Sequence, residues 1–143
     1  MAVEAIHLGE RESPRLRAVD SVRAVAGKGL EGDRRYFFAD GAEPGRALTL
    51  VEAENVEAVG LAPGATRRQV TTRGVRLNDL VGKRFRVGKV ECYGVQLCEP
   101  CSHLQKLTQP GVMKGLVHQA GLNADILSDG EIAERADAAT SRA

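Results

Sequence analysis

The sequence predicts a mainly β domain, and three observations carry that prediction. Segments with period-two or β-branched patterning recur at short intervals, the stretches between them are rich in Gly, Asp and Pro, and helical periodicity is confined to a few places. Strands spaced in this way, with no βαβ rhythm, favour a barrel or sandwich over a parallel sheet. At 143 residues the chain can bury one core and is too short for two ordinary domains.

The strand candidates, in chain order, are AVEAIHL (2–8), SVRAVA (21–26), ALTLV (47–51), RFRVGKVECYGVQL (84–97) and NADIL (123–127). In the fourth, Gly88 separates two strand-like halves and predicts a tight hairpin, and SDGE (128–131) predicts another. A helix is expected over 52–61, where Ala53, Val56 and Val59 share helical spacing and Pro63 and Gly64 provide the stop. A second should begin with Pro110 as its first helical residue, carry Val112, Met113, Leu116 and Val117 on one stripe, and end before Gly121. Between Cys101 and that helix, SHLQKLT has room for one or two helical turns whose start lies beside Cys101. Beyond Ile132, the tail AERADAATSRA (133–143) lacks apolar periodicity and is expected to fray, which places the domain at 1–132.

Composition narrows the function classes. Apolar residues make up 43% and charged residues 27%, the balance of a globular protein, and with 3% aromatics and no Trp there is little for a single-strand nucleic-acid stacking platform. A net charge of +1 argues against general polyanion binding, so no nucleic-acid partner is expected. The charge is nonetheless uneven: Arg67, Arg68, Arg73, Arg76, Lys83, Arg84, Arg86 and Lys89 face the single acid Asp79 in their stretch, and the C-terminal end leans acidic. No stretch approaches the ~18 apolar residues of a membrane span, and the first residues do not read as a signal peptide. The expected address is the cytosol, with reduced thiols and no membrane partner.

The chemistry is concentrated in LCEPCSHLQKLT (97–108), where Cys98 and Cys101 flank Pro100. Two thiols at this spacing can hold zinc together with His103 and His118, form a dithiol couple, pack as small hydrophobes, or leave one thiolate as the working atom. The dithiol couple lacks its usual βαβ setting here, and the zinc site lacks a second tight pair of ligands. A thiolate at a helix start is stabilised by unpaired N–H groups, and Cys101 is better placed for that than Cys98. Cys92, midway along a strand, reads as core. The loop GKGLEGDRR (27–35) combines three glycines with Lys28, Asp33, Arg34 and Arg35, which suits either a phosphate or carboxylate ligand or a plain turn. In RRQVTTRGVRLNDLVGKRFRVG (67–88) most charges should solvate outward strand faces, while Gly74 lets Arg73 turn inward. His118 sits on the stripe side of its helix, as a core histidine or as a ligand.

Taken in order, GKGLEGDRR, RRQVTTRGVRLNDLVGKRFRVG and LCEPCSHLQKLTQPGVMKGLVHQAGL resemble the MOSC domain, named for the C-terminal domain of molybdenum cofactor sulfurases. The resemblance runs from the first strand to Ile132 and is to small, free-standing bacterial-type members. It implies a closed β-barrel with a few short helices, and a site that binds the molybdenum cofactor (molybdopterin) or carries sulfur for it. It further implies that Cys101 is the functional cysteine, as metal ligand or persulfide carrier. In such a site Arg34 and Arg73 would hold the anionic part of the cofactor, with Lys28 in the same loop, Asp33 orienting Arg34 or bonding the pterin, and His118 facing the pocket. Relatives with reductase activity act on N-hydroxylated compounds, so such a substrate and an electron-donor or sulfur-donor protein are the implied partners. A non-catalytic cofactor or persulfide carrier is the alternative, with a zinc-stabilised domain behind it. The chain differs from the family's pattern in ending its loop with DRR instead of DRH, and in placing Gln69 where asparagine is common.

Overall fold

The computed structural model describes residues 2–9, 16–33, 45, 47–61, 68–98, 121–134 and 138–140. Its strands are β1 (Ala2–Gly9), β2 (Leu16–Val19), β3 (Ser21–Val25), β4 (Gly29–Leu30), β5 (Leu48–Glu52), β6 (Val70–Arg73), β7 (Arg84–Val87), β8 (Val90–Leu97), β9 (Leu122–Ile126), β10 (Gly130–Ala133) and β11 (Ala138–Thr140). One helix, α1 (Ala53–Ala58), and a 3-10 turn, Leu77–Leu80, complete the described elements. All five expected strand segments are strands, and the helix lies within the expected 52–61.

Eight strands form one curled sheet in the order β11-β7-β8-β9-β5-β6-β1-β2, and β10-β3-β4 form a second. The alternation of apolar residues explains this division. Ile6, Leu8, Leu48, Leu50, Val70, Phe85, Val87, Cys92, Leu122, Ala124 and Ile126 project from one face of the large sheet into a core that also takes Val22, Ala24, Leu30 and Ile132 from the small one. The expected closed barrel is therefore corrected to an open half-barrel. Among the described residues β2 and β11 do not pair with one another, and the apolar face is covered by a second sheet, not by closure of the first.

Three further expectations change. SDGE does not make a hairpin between β9 and β10, because the chain there crosses to the small sheet and β10 pairs with β3. Its side chains hold the crossing: Asp129 Oδ1 accepts from the Ala26 N–H at 2.8 Å, and Ser128 Oγ accepts from the Glu91 N–H at 2.9 Å. Beyond Ile132, where fraying was expected, Ala138–Thr140 add β11 antiparallel to β7 at the edge of the large sheet. Backbone pairing there needs no apolar pattern, which is why periodicity misses it. Finally, β5 and β6 are parallel and joined through α1, a βαβ unit that the short helix hid from the pattern. That helix buries Ala53 and Val56, and β5 is consequently buried on both faces from Leu48 to Val51.

The hairpin at Gly88 is as expected, with β7 and β8 antiparallel and Gly88 at φ 62°. Along β7, exposed Arg84 and Arg86 alternate with buried Phe85 and Val87, so these two basic residues solvate an outward face. Among the described residues no helix is long and apolar enough to cross a membrane.

Candidate functional site

The site is built where β8 ends. Cys98, the residue after β8, donates its backbone N–H to the Gly121 carbonyl at 2.8 Å, so both ends of segment 99–120 meet at one point on the sheet. Its thiol, 7% exposed, donates to Oδ1 of Asn123 on β9 at 2.9 Å. Gly121 allows this closure because its backbone sits at φ 116°, and a Cβ there would stand 2.1 Å from the Leu50 carbonyl oxygen. Gly45 closes in nearby, donating its N–H to Asp125 Oδ1 at 2.7 Å.

Asn123 belongs to a polar row on the face of the large sheet away from the core. Its registered neighbours are Gln96 on β8 and Thr49 on β5, in a strand whose flanking Leu48 and Leu50 enter the core. Thr49 and Gln69 then bond reciprocally: the Thr49 N–H donates to Gln69 Oε1 and the Gln69 N–H donates to Thr49 Oγ1, each at 2.9 Å. The row ends at His7 on β1, whose N–H donates to the Gln69 carbonyl at 2.7 Å. Thr49 and Gln69 are buried, and burial holds the His7 imidazole below its ordinary pKa and so neutral. Two nitrogens of this row, His7 Nδ1 and Gln69 Nε2, are buried without a hydrogen-bond partner among the described residues.

The glycine-rich loop resolves into two tight turns. The Lys28 N–H donates to the Val25 carbonyl at 3.0 Å, closing the β3–β4 hairpin with Gly27 at φ 73° and leaving the Lys28 side chain exposed. Asp33 is buried at 2% exposure, and its Oδ1 accepts from the Gly9 N–H at 2.8 Å, fastening the end of β1. Gly74 does turn after Arg73, at φ 81°. The Arg73 guanidinium, however, is engaged by the Glu4 and Glu57 carboxylates, which raise its pKa, and an anion would have to displace both. A cavity of about 70 Å³ opens beside this cluster, lined by Glu4, Ala53, Val56, Glu57, Leu61 and Thr71.

Cys101, Arg34 and His118 lie outside the described residues, as does the expected helix from Pro110. The structure therefore brings together none of the expected site residues within its described part; Lys28, Asp33 and Arg73 stand in separate local settings. For zinc, the described residues contain no group of three or more His, Cys, Asp or Glu side chains able to hold a metal. Cys92 is core, its thiol pushed up to about 12 by burial and by Glu91. Sequence reasoning missed Asn123, Thr49 and His7 and noted Gln69 only as a departure from a pattern. The available signal was a polar residue at an outward position of otherwise apolar strands, Thr49 in LTLV and Asn123 in LNADI.

No family model and no curated protein matches the chain. Solved structures do. YuaD from Bacillus subtilis matches with a TM-score of 0.76 at 16% identity, covering 94% of this chain and 91% of its own. YiiM from Geobacillus stearothermophilus matches at 0.73 and 21% identity, covering 99% and 75%, and YiiM from Escherichia coli at 0.71 and 18%, covering 100% and 71%. At these identities the likeness establishes the fold alone, a mainly β half-barrel.

Proposed function

We propose that the chain binds the molybdenum cofactor, with the Cys101 thiolate as protein ligand to the metal and Arg34 holding the anionic part. The observation that carries this reading is the closed base of segment 99–120. Cys98 and Gly121, the described residues on either side of it, are hydrogen-bonded to one another beside the polar row, in which His7 Nδ1 and Gln69 Nε2 are buried without a hydrogen-bond partner among the described residues. The fold shared with YuaD and YiiM, which are MOSC-domain proteins, supports it. So does the chemistry of the donors. A thiolate is a soft ligand suited to a soft metal centre, and buried hydrogen-bonding nitrogens without a protein partner suit a heterocycle.

Bound there, the cofactor would supply an oxygen- and electron-exchanging metal centre acting on a small N-hydroxylated compound, with a separate protein as electron donor. The chain's own residues bind and orient. Asp33 keeps the end of β1 in place, Cys98 and Asn123 anchor the chain at the end of β8, and Arg73 stays with Glu4 and Glu57 as part of the scaffold. The second reading is a carrier in which Cys101 bears a persulfide, for which a nucleophilic thiolate and an open approach suffice.

Metal analysis of protein made in a cofactor-producing host separates these readings. The expected result is molybdenum in the wild type, in Cys98→Ser and in Arg73→Met, and its loss in Cys101→Ser. Zinc lost with either cysteine would replace this reading with a zinc-stabilised domain. Cyanide-labile sulfur on Cys101 without molybdenum would replace it with the carrier.

A further inference from the structure

His7 on β1 and Gln69, the residue leading into β6, are directly opposed. The His7 N–H bonds to the Gln69 carbonyl and extends the register in which Ile6 faces Val70. Ile6 and Val70 enter the core, so by alternation the His7 and Gln69 side chains leave the sheet together on its other face. The Cβ atoms of such a pair stand ~5 Å apart, a span that two converging hydrogen bonds to adjacent ligand atoms can bridge.

The orientation of the Gln69 amide is settled by Thr49, whose N–H must meet an oxygen. The atom left without a partner is therefore the NH2 group, a donor, in a side chain only 5% exposed. A buried donor left unpaired is unfavourable and rare in folded proteins, and here a second orphan, His7 Nδ1, lies next to it. In neutral imidazole one ring nitrogen accepts. On β1 and α1 the charged side chains Glu4 and Glu57 are engaged with Arg73, and Arg68 precedes Gln69 in the chain.

We propose that Gln69 Nε2 and His7 Nδ1 form a two-point clamp for the lactam or carboxamide edge of a neutral planar ligand, the amide donating to its carbonyl and the imidazole accepting from its N–H. The pterin ring of the cofactor proposed above carries such an edge, so this inference rests on that reading and names the part of the ligand this face would hold.

The test titrates the purified full chain with pterin, followed by its fluorescence, beside 3-methylpterin, in which a methyl group replaces the lactam N–H. The wild type is expected to bind pterin about tenfold or more tightly than 3-methylpterin, the equivalent of one good hydrogen bond. His7→Phe should erase that difference. Gln69→Glu, which keeps the oxygen that Thr49 needs and removes the free NH2, should weaken pterin by a similar factor at pH 8. Thermal unfolding checks that each variant is folded, and His7→Phe, at a half-exposed position, carries the test if Gln69→Glu is not. Equal binding of the two pterins, no binding of pterin, or discrimination retained in His7→Phe would overturn the clamp. Molybdenum retained without pterin discrimination would sink the clamp alone. Discrimination without molybdenum would sink the metal reading alone.

Discussion

The thiol of Cys98 donates to Oδ1 of Asn123 across the β8–β9 ladder, at 2.9 Å, one residue beyond the last paired position of β8. This contact fixes where the chain leaves the sheet after β8. Asn123→Ala should remove the acceptor that Asn123 offers the buried thiol and cost ~1–2 kcal/mol in urea unfolding. Cys98→Ser keeps a donor of similar reach and should cost less than Asn123→Ala. A larger loss for the serine variant would show that sulfur packing, and not the hydrogen bond, dominates at this position.

Thiol chemistry should single out one cysteine. Cys92 is buried with its thiol pushed up to about 12, and Cys98 is buried and hydrogen-bonded. An aromatic disulfide reagent added to native protein at pH 7.5 should therefore label Cys101 rapidly, and the other two only on unfolding. Mass mapping of the adduct is the readout, and rapid label on Cys98 or Cys92 would contradict the burial described.

Gly121→Ala should be among the most damaging single-methyl changes in the sheet. The added carbon would meet the Leu50 carbonyl oxygen at 2.1 Å from a backbone at φ 116°, so strand β9 must move away from β5. A loss above ~3 kcal/mol is expected, from strain together with disrupted pairing. Gly82→Ala is the control, since it shares a positive φ of 76° but meets nothing within 4 Å. Its cost should stay near ~1 kcal/mol. Comparable losses at the two positions would show that backbone conformation alone, and not the clash, governs both.

Acidification should destabilise the fold through His7. Burial depresses its folded pKa, so below about 6.5 the unfolded chain binds the proton more readily and stability falls as pH drops. Glu52 acts in the opposite sense. Burial raises its carboxyl pKa, so the folded chain takes up that proton more readily, and stability is gained as pH falls toward and through about 4.5. The difference between wild type and His7→Phe, measured by denaturant unfolding from pH 7.5 to 5, isolates the histidine. It should narrow with decreasing pH, and a difference independent of pH would count against a half-buried neutral imidazole.

Much of this architecture could be read locally, and the reasons are visible in particular residues. The alternation Arg84, Phe85, Arg86, Val87 assigns both a strand and its buried face. Gly88 marks the hairpin because only a residue tolerant of φ near 62° turns there without strain. The resemblance read from three ordered motifs implied a mainly β domain, which the fold shared with YuaD and YiiM bears out, and a closed barrel, which the structure corrects to an open one. The site was less legible. Arg73 looked available because nothing in its own segment hints that Glu4 and Glu57, from β1 and α1, would engage it. Asp33 looked like a ligand group, yet its partner is the backbone of Gly9, distant in sequence and adjacent in space.

By itself the order of residues determined which segments are strands, where they turn and which side chains enter the core, because these follow from steric limits on each residue and the two-residue repeat of an extended chain. Only the tertiary structure decided that the sheet stays open, that SDGE crosses to a second sheet, and that His7, Gln69, Thr49, Asn123 and Cys98 form one polar row. Those outcomes depend on which strand edges meet. Pairing is a contest among backbone groups that look alike along the chain, and it is resolved by the burial that each arrangement achieves.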